Sequence, residues 1–325
     1  MTTTIIIKKS FKTYRFTGMA LDPIHVGTGG CRLGRVDNTI VRDPVTQIPK
    51  IPGSSLAGVM RAYVAMAREN QNPNREIDGK KKPYYPDCAG QGGESGHCGQ
   101  NDCLVCTVFG FAKSKDNEGG FAGLAGFSDM HVLLFPVASQ MGPQWITCPM
   151  ALRQLDNGIG DVPEPDALYH QADGQPINLG WLLLPVKAWD KFNYVIQKIK
   201  DSNLTELVIK NLGIVSDKLF THIVNSNLEV RTSVAIDPAT GAAKDRALFS
   251  YEALPRGTVL VWDVTCRNPK HFKINGKDVE AVKSPDDIKS IVTDANSYFE
   301  HLGIGGMGTR GMGRLRVLNS PEVQK

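Results

Sequence analysis

The spacing of hydrophobic residues predicts several strands along the chain. Residues 12–21 alternate between polar and apolar side chains, which is typical of a half-buried strand. Two apolar runs within residues 130–150 are separated by a turn-forming segment and predict paired strands. Residues 257–265 predict a further strand, and the sequence RLRVL at 314–318 predicts the last one.

Helical spacing dominates other segments. Residues 54–70 place apolar side chains on one face, and Ser54 or Ser55 is expected to cap this helix. Residues 188–200 form a second amphipathic pattern, and residues 204–225 predict one or two short helices.

The C-terminal third predicts a hairpin followed by a helix. Residues 229–255 contain the turn sequence DPATG between polar extended segments, which indicates an exposed hairpin. Ser284 with Asp287 three residues later is the spacing of a capping box. The helix that follows is expected to continue to Leu302 and to end at Gly303. Together these elements predict an α+β fold.

Composition narrows the class of protein. The chain has 325 residues, of which 41% are hydrophobic, so it can bury a substantial core. No run of 18 apolar residues is present, which excludes a membrane-spanning helix. The N-terminal sequence MTTTIIIKKSFKTYRF lacks a signal-peptide pattern, so we expect a cytoplasmic protein with reduced thiols.

Charge is distributed unevenly. Residues 1–61 hold nine basic residues against three acids, and residues 303–317 add three arginines without an acid. If the two ends meet in the fold, they form a surface suited to a polyanion such as RNA. A solvated charged face explains the same charges equally well.

Four of the seven cysteines lie close together in a polar, glycine-rich segment at 71–120. Zinc takes four nitrogen or sulfur ligands in a tetrahedron, and the C-x-x-C pair within this group has a spacing that suits one metal. We therefore expect a structural Zn²⁺ site, in which His97 is able to replace one of the earlier cysteines. The expected thiol ligands are Cys88, Cys98, Cys103 and Cys106. The other cysteines, Cys31, Cys148 and Cys266, are expected in or near the core.

The glycines concentrate in two loops, at 27–34 and 303–313. The second loop contains G-x-G-x-x-G, but it follows a helix and opens a strand, the reverse of a dinucleotide-binding fingerprint. It fits a backbone cradle for RNA phosphates better. The residues expected to form that cradle are Gly305, Gly306, Gly308, Arg310 and Arg314. Tight packing of the loop is compatible with that role.

Asp37 is the one acid within residues 23–42, and His25, Arg35 and Arg42 accompany it. A carboxylate in a basic loop can form a salt bridge, hold Mg²⁺ or assist proton transfer at a phosphodiester. On the residues alone, the salt bridge is favoured.

Five stretches, in order along the chain, resemble the RAMP superfamily, and more narrowly the backbone subunits of type III CRISPR interference complexes. They are HVGTGGCRLGRVDNTIVRDPVTQIPKIPGSSLAGVMR, CLVCTVFG, LLFPVASQMGPQWITCP, RTSVAIDPATGAAKDRALFSYEALPRGT and GIGGMGTRGMGRLRV. The second is similar to the Csm-complex subunit, whereas the third and fourth are closer to the Cmr-complex subunit. This mixture suggests a variant subtype such as type III-D.

The resemblance implies one domain over residues 1–325: a ferredoxin-like or RRM-like palm with a zinc-binding insertion at 71–120 and a thumb hairpin at 229–255. Its implied partners are a CRISPR guide RNA, target RNA and other effector subunits, including copies of itself or related RAMP subunits. The implied activity is cleavage of guide-paired target RNA with Mg²⁺ or another divalent ion. No membrane partner is expected.

The resemblance also assigns residues. Asp37 matches the family's catalytic aspartate, and His25, Tyr251 and Glu252 match positions near the cutting site. The start of the helix at 54 matches a segment that contacts the guide, although Ala57 stands where the family has lysine. The residues implied to bind RNA, besides Arg35, Arg42 and the C-terminal loop, are Lys50, Ser54, Ser55 and Arg61, with Arg231, Lys244 and Arg246 on the thumb.

Three alternatives remain open at this stage. The chain could be a guide-binding scaffold without activity, in which Asp37 pairs with Arg35 or Arg42. It could be a guide-processing endonuclease with a histidine base. It could also be a zinc- or dinucleotide-dependent metabolic enzyme, although the order of helix, loop and strand opposes that reading.

Overall fold

The computed structural model describes residues 10–29, 36–77, 79–90, 97–112, 119–200 and 202–319, with the backbone alone at 245–247. Within these ranges the helices are α1 (Gly53–Gln71), α2 (Leu104–Phe109), α3 (Pro149–Leu152), α4 (Phe192–Lys200), α5 (Glu206–Lys210), α6 (Asp217–Ser226), α7 (Pro285–Thr293) and α8 (Asn296–His301).

The strands of the same ranges are β1 (Phe11–Ala20), β2 (Lys50–Ile51), β3 (Glu76–Ile77), β4 (Lys80–Lys81), β5 (Ala125–Phe127), β6 (Met130–Ser139), β7 (Gly142–Thr147), β8 (Leu168–His170), β9 (Gly174–Leu179), β10 (Leu182–Ala188), β11 (Leu212–Ile214), β12 (Glu229–Ile236), β13 (Ala243–Ala253), β14 (Val259–Arg267), β15 (Lys273–Ile274), β16 (Lys277–Asp278) and β17 (Leu315–Val317).

A large mixed sheet organises the fold. Its strand order is β17-β1-β14-β6-β7-β11-β8-β10-β9, with β2 paired to β6 and β5 paired to β14. β1 runs antiparallel to β14 along its length, from Phe11 opposite Arg267 to Met19 opposite Val259. β17 lies on the other side of β1, with Gly18 opposite Val317. The strands nearest the two ends of the sequence, β1 and β17, therefore lie side by side, which is the condition set above for a joint basic surface.

Both faces of the sheet are covered. On one face, Phe16 and Trp262 stack with their ring centroids 5.8 Å apart, within the core that includes apolar residues of α1, α7 and α8. On the other face, Val261 packs in a second core with Trp189 and Phe192. Alternate residues of β14 thus enter opposite cores, which is the consequence of the two-residue period of a strand.

Most of the elements expected from hydrophobic spacing are present. β1, β14, β17, the β6–β7 pair and the hairpin of β12 and β13 confirm the predicted strands to within a few residues. α1 confirms the helix at 54–70, and α5 and α6 confirm the helices at 204–225. Cys148 and Cys266 are fully buried, as predicted, whereas Cys31 lies outside the described residues.

Four local predictions were wrong. Pro52, not Ser54 or Ser55, is the N-cap of α1, and no side chain caps the first turn. The helix expected at 188–200 begins at Phe192. The helix expected from Ser284 to Leu302 is divided into α7 and α8 at Asp294, whose carboxylate accepts a hydrogen bond from Arg68. Leu302 is 53% exposed and does not join the apolar face.

The strands β8, β9 and β10 had no clear signal in the sequence. β9 is largely exposed, so its side chains do not alternate between apolar and polar. β8 and β11 have three residues each, which is too short for a periodic pattern. Their pairing depends on neighbours that are distant in sequence, such as Ile214 opposite Tyr169.

The capping box of α7 is confirmed and can be tested. The Ser284 hydroxyl accepts from the Asp287 backbone nitrogen at 3.3 Å, and the Asp287 carboxylate accepts from the Ser284 nitrogen at 3.1 Å. Ser284→Ala should lower the free energy of unfolding by about 1 kcal/mol, because the Asp287 amide loses the hydroxyl that accepts its hydrogen bond. Chemical denaturation measures this. Ser290→Ala, on the exposed face of the same helix, should have little effect; equal losses in both variants would contradict the assignment.

Candidate nucleic-acid interface and catalytic site

Three segments that are distant in sequence meet at residues 24–28. Ile24 and Leu254 exchange backbone hydrogen bonds, each 2.9 Å from nitrogen to oxygen. The Gly306 nitrogen donates to the His25 carbonyl at 2.8 Å. The Val41 nitrogen donates to the Val26 carbonyl at 2.9 Å. The first glycine-rich stretch, the root of the β12–β13 ribbon and the C-terminal glycine loop therefore share one backbone network.

The segment at 36–42 is held against β13. The Asn38 nitrogen donates to the Ser250 carbonyl at 3.0 Å, and the Glu252 nitrogen donates to the Asn38 carbonyl at the same distance. Glu252 is 8% exposed, and its Oε2 accepts from the Ile40 nitrogen at 3.2 Å. The path of this segment fixes the position of Asp37, which directly precedes Asn38.

Asp37 is exposed, and one of its carboxylate oxygens is fixed by Ser250. The Ser250 nitrogen and hydroxyl donate to Asp37 Oδ2 at 2.8 and 2.9 Å, and the Asp37 nitrogen donates to the Ser250 hydroxyl at 3.1 Å. The backbone and side-chain hydrogen bonds from Ser250 lower the pKa of the Asp37 carboxyl. No ion pair to Asp37 is present among the described residues. The arrangement leaves an ionised, solvent-facing carboxylate of defined orientation.

The salt bridge between Asp37 and Arg42 is not formed. Arg42 instead donates to Glu252 Oε1 at 2.6 Å, to Asn225 Oδ1 at 3.0 Å and to the Ile40 carbonyl at 3.1 Å. Its charge is therefore paired with Glu252 at the base of the site. Arg35, the other expected partner, lies outside the described residues.

His25 is buried and packs against the end of β13 that carries Tyr251 and Glu252. Its side chain is 7% exposed, and Nδ1 lies 2.6 Å from the Glu252 carbonyl oxygen, which makes Nδ1 the protonated nitrogen. The His25 and Tyr251 rings meet edge to face with centroids 5.6 Å apart. A side chain at Gly27 would come within 3.0 Å of Nε2. These contacts give His25 and Tyr251 a packing role next to Asp37, without exposing the imidazole.

The C-terminal glycine loop is tightly packed on its inner side. Gly305 has φ of +91°, and a Cβ there would lie 2.4 Å from the His25 carbonyl oxygen. Gly305, Gly306 and Gly308 are all exposed on the other side. Arg310 is also exposed and has no side-chain partner among the described residues. The outer surface of the loop is therefore available to a ligand.

Two of the expected RNA-binding arginines hold this loop in place. Arg314 forms a bidentate ion pair with Asp22, and Arg314 lowers the pKa of the Asp22 carboxyl. Arg231 donates from Nε to Glu229 at 2.6 Å and from Nη1 to the Gly311 carbonyl at 3.2 Å. Both side chains thus fasten neighbouring elements to the loop.

The β12–β13 ribbon exposes an apolar face that was not predicted from the sequence. Val234 is paired with Leu248, and these side chains are 42% and 68% exposed. Val230 is 51% exposed on the same face. The alternation in EVRTSVAI was the signal that could have revealed this stripe. Lys244 is exposed on β13, whereas the side chain of Arg246 lies outside the described part of the chain.

The start of α1 is already occupied by a carboxylate. Asp129 Oδ1 accepts from the Gly53 nitrogen at 2.8 Å, and its Oδ2 lies 2.7 Å from Lys50 Nζ. Ser54 is exposed and Ser55 is half-buried at the same turn. The expected phosphate contact at this helix therefore competes with Asp129, and Lys50 is already paired.

The basic N-terminal segment is mostly neutralised within the fold. Every described basic residue of 1–61 is engaged: Lys12 with Asp286, Arg15 with Asp263, Arg42 with Glu252, Lys50 with Asp129 and Arg61 with backbone carbonyls. The positive charges of these five described residues therefore support the fold more than they form an open surface.

The four cysteines converge, as their spacing predicted. Their sulfurs all lie within 4.8 Å of one another and are buried. Sγ of Cys98 is 3.6 Å from that of Cys106, and Sγ of Cys103 is 4.0 Å from that of Cys88, too far for disulfide bonds of about 2.05 Å. Nε2 of His97 faces the Gly90 carbonyl, so the four sulfurs complete the set of donors without it. The cluster could hold a metal such as zinc.

Two expected sites are thus assembled separately. One group surrounds the 24–28 backbone network and consists of Asp37, His25, Tyr251, Glu252, Arg42, Arg231 and the C-terminal loop. The four cysteines form the other group. Ser250, which fixes Asp37, was missed by the sequence reading because its role depends on a partner 213 residues away. Among the described residues, no helix is long and apolar enough to cross a membrane.

Two curated relatives share sequence with this chain. The Cmr endoribonuclease Cmr4 of Pyrococcus furiosus is 24% identical over 332 residues, which is 94% of this chain and 95% of the relative. The Cms endoribonuclease Csm3 of Methanothermobacter thermautotrophicus is 32% identical over 113 residues, which is 34% of this chain and 38% of the relative.

Solved structures share the fold. A chain of the type III-B Cmr-beta complex bound to cognate target RNA superposes with a TM-score of 0.63 and 15% identity, covering 95% of this chain and 98% of its own. Oligomeric Cmr4 from Pyrococcus furiosus gives a TM-score of 0.57 and 18% identity, covering 95% and 100% of the two chains.

The family assignment follows from the sequence profile. The profile of the RAMP superfamily matches residues 19–316, which include the Asp37 segment, the ribbon and the C-terminal glycine loop. This match confirms the resemblance carried by the sequence motifs, and the chain therefore belongs to the RAMP superfamily.

Proposed function

We propose that this protein is a guide-RNA-binding backbone subunit of a type III CRISPR effector complex and that it cuts the guide-paired target RNA. The observation that carries the proposal is the exposed, oriented Asp37 carboxylate at the junction of the ribbon with both glycine-rich segments. The names of the relatives Cmr4 and Csm3 as endoribonucleases support it. The neighbour bound to target RNA supports the same class of ligand.

RNA would lie across the outer surface of the C-terminal loop and along the ribbon. Gly306 and Gly308 let a phosphate approach the backbone closely, and Arg310 supplies a cation without a competing acid among the described residues. In this proposal the large sheet contains the ferredoxin-like or RRM-like palm, and residues 229–255 form the thumb. The oligomeric Cmr4 neighbour supports assembly with further copies or related subunits. We place this complex in the cytoplasm, and type III-D remains our predicted subtype.

Asp37 is the residue proposed to act on the target. Its carboxylate would accept a hydrogen bond from the ribose 2′-hydroxyl and direct the 2′-oxygen at the adjacent phosphorus. A bond forms between that oxygen and phosphorus, and the bond to the 5′-oxygen breaks. The 2′-oxygen loses its proton and the 5′-oxygen gains one, which gives a 2′,3′-cyclic phosphate and a 5′-hydroxyl. Because its pKa is lowered, Asp37 is ionised at neutral pH and is a weak base, so orientation is its larger contribution.

The site suits a divalent ion with few protein ligands. Mg²⁺ is commonly bound by one or two carboxylates together with substrate phosphates. Asp37 is the carboxylate available here, since Glu252 is bound to Arg42 and to the Ile40 nitrogen. When bound, such an ion would neutralise charge on the phosphate that is attacked.

Glu252, Arg42 and His25 are proposed as positioning residues. The Glu252 carboxylate accepts hydrogen bonds from the Ile40 nitrogen and from Arg42, and its backbone carbonyl accepts one from His25 Nδ1. Burial and engagement of His25 also argue against a guide-processing role with a histidine base. A scaffold without activity is the second candidate, favoured by the fact that Ser250 already satisfies Asp37 Oδ2.

We further propose that the cysteine cluster holds a structural Zn²⁺ within the insertion at 71–120. A tetrahedral site with Zn–S bonds of about 2.3 Å places its sulfurs about 3.8 Å apart. The Cys98–Cys106 and Cys88–Cys103 separations, 3.6 and 4.0 Å, fit this requirement. Four buried thiol ligands leave no open position for substrate, so zinc would stabilise the fold without taking part in cleavage.

Replacing Asp37 tests the catalytic assignment. In the complex assembled with guide RNA, Asp37→Ala and Asp37→Asn should slow target cleavage by at least about 100-fold, because both remove the charged acceptor. Target binding should stay unchanged. Cleavage is followed on end-labelled target RNA with Mg²⁺, and binding is followed by gel shift of the same RNA.

Asp190→Ala is the matched control, since Asp190 is an exposed acid in the layer that covers the second core. It should cut like the wild-type complex. Wild-type cutting rates in the Asp37 variants would remove Asp37 from the mechanism. A wild-type complex that binds target but never cuts it with Mg²⁺ would establish the scaffold function instead.

The metal prediction is independent of cleavage. Elemental analysis of the purified chain should find about one zinc per chain. Cys103→Ser should lose the metal and lower the unfolding temperature, because metal binding contributes to folding. Cys266→Ser, at a buried thiol outside the cluster, should retain the metal. A folded wild-type chain without metal would refute the site.

A further inference from the structure

Two arginines enclose the cysteine cluster. Arg75 is 8% exposed, and its Nη2 lies 3.4 Å from Cys98 Sγ. Arg61, from α1, donates from Nε to the Cys88 carbonyl at 2.6 Å and from Nη1 to the Gly110 carbonyl at 2.8 Å.

Neither arginine has a carboxylate partner among the described residues. Arg75 otherwise donates to the Lys82 carbonyl and lies over the Tyr84 ring, 4.3 Å from its centroid. Nη2 of Arg61 is buried and has no hydrogen-bond partner in the described part of the chain. An enclosed cation without a counter-charge is costly, so these two positions require an explanation.

Other enclosed arginines of this protein are paired with acids. Arg42 pairs with Glu252 and Arg68 pairs with Asp294, with 21% and 19% of the arginine side chains exposed. Arg68 lies on the same helix as Arg61, two turns further along. The absence of an acid beside Arg61 and Arg75 within the described ranges is therefore specific to the surroundings of the cysteines.

The cluster itself can supply a counter-charge. Four thiolates bound to one divalent zinc leave two net negative charges, and two arginines balance them. We infer that Arg61 and Arg75 are positioning residues of the zinc site, where they neutralise the tetrathiolate and hold Cys88 and Cys98 in place. This inference rests on the zinc site proposed above.

The arrangement also explains why the charges lie on different elements. Arg61 belongs to α1, and Arg75 lies between α1 and β3. Metal binding would therefore fix the middle of α1, and the segment that follows this helix, to the cysteine-bearing segment at 88–106. Replacing residues that contact the metal ligands, without binding the metal themselves, commonly weakens metal affinity by about 10- to 100-fold.

The test measures zinc affinity of the full-length chain by competition with a chromophoric chelator. Arg75→Met and Arg61→Met keep side-chain volume but remove the charge, and each should weaken zinc binding by about tenfold or more. Arg75→Lys restores the charge and should recover part of the affinity. Arg68→Met is the matched control: it breaks the pair with Asp294 but should leave zinc affinity unchanged.

A second readout separates charge balance from simple packing. In Arg75→Met, the difference in unfolding temperature between zinc-loaded and metal-free protein should shrink, because the metal-free state no longer encloses an unpaired cation. Unchanged zinc affinity in both methionine variants, or an equal loss in Arg68→Met, would overturn the inference. If Arg75→Met does not fold, Arg61→Met and Arg75→Lys decide it. If the wild-type chain binds no zinc, the metal site itself is refuted. If the wild-type chain binds zinc and the arginine variants bind it equally well, only the role proposed for the arginines is refuted.

Discussion

The backbone of residues 24–28 is the constraint on which the candidate catalytic site depends. This short segment is hydrogen-bonded to the ribbon root at Leu254, to the C-terminal loop at Gly306 and to its own continuation at Val41. Buried backbone groups must find partners, so each of the three neighbours is fixed in register by the same few bonds. Asp37 acquires its position from this network indirectly, because the chain returning from residue 28 has to follow β13 past Ser250.

Different residues hold the 36–42 segment in place and face the solvent. Glu252 is enclosed, and its ion pair with Arg42 and its bond to the Ile40 nitrogen stabilise the segment from within. Asp37 faces solvent with one oxygen fixed by Ser250. A loop residue held this way can meet a large ligand without rearrangement, since the rigid elements below it carry the orientation. Among the described residues of this site, Asp37 is thus the carboxylate that faces solvent, and in the proposed function the RNA and a divalent ion would complete the site.

The sequence predicted the parts of the fold whose signals are local. The alternation in β1, the capping box at Ser284 and the spacing of the cysteines each depend on residues a few positions apart, and all three are confirmed. Asp37 was identified through family resemblance, since charge alone favoured a salt bridge. The pairing of Arg42 with Glu252 joins residues 210 positions apart, and no local pattern encodes it. The division between α7 and α8 likewise depends on tertiary contacts around Asp294.

The number of charged residues in a sequence does not give the charge that the folded surface presents. The N-terminal segment has six net positive charges, yet each of its described cations is bound to an acid or to backbone carbonyls. Asp129 takes the amide of Gly53 that a phosphate could have used. Near the Asp37 site, the described surface open toward a polyanion includes the outer side of the C-terminal loop with Arg310, and the ribbon with Lys244 beside its apolar stripe. Recognition on this surface would depend on close backbone approach and on contact with the exposed Val234 and Leu248, with a small number of cations. Such a surface reads the shape of a nucleic acid more than its charge, which is what a subunit must do if base pairing supplies the sequence specificity.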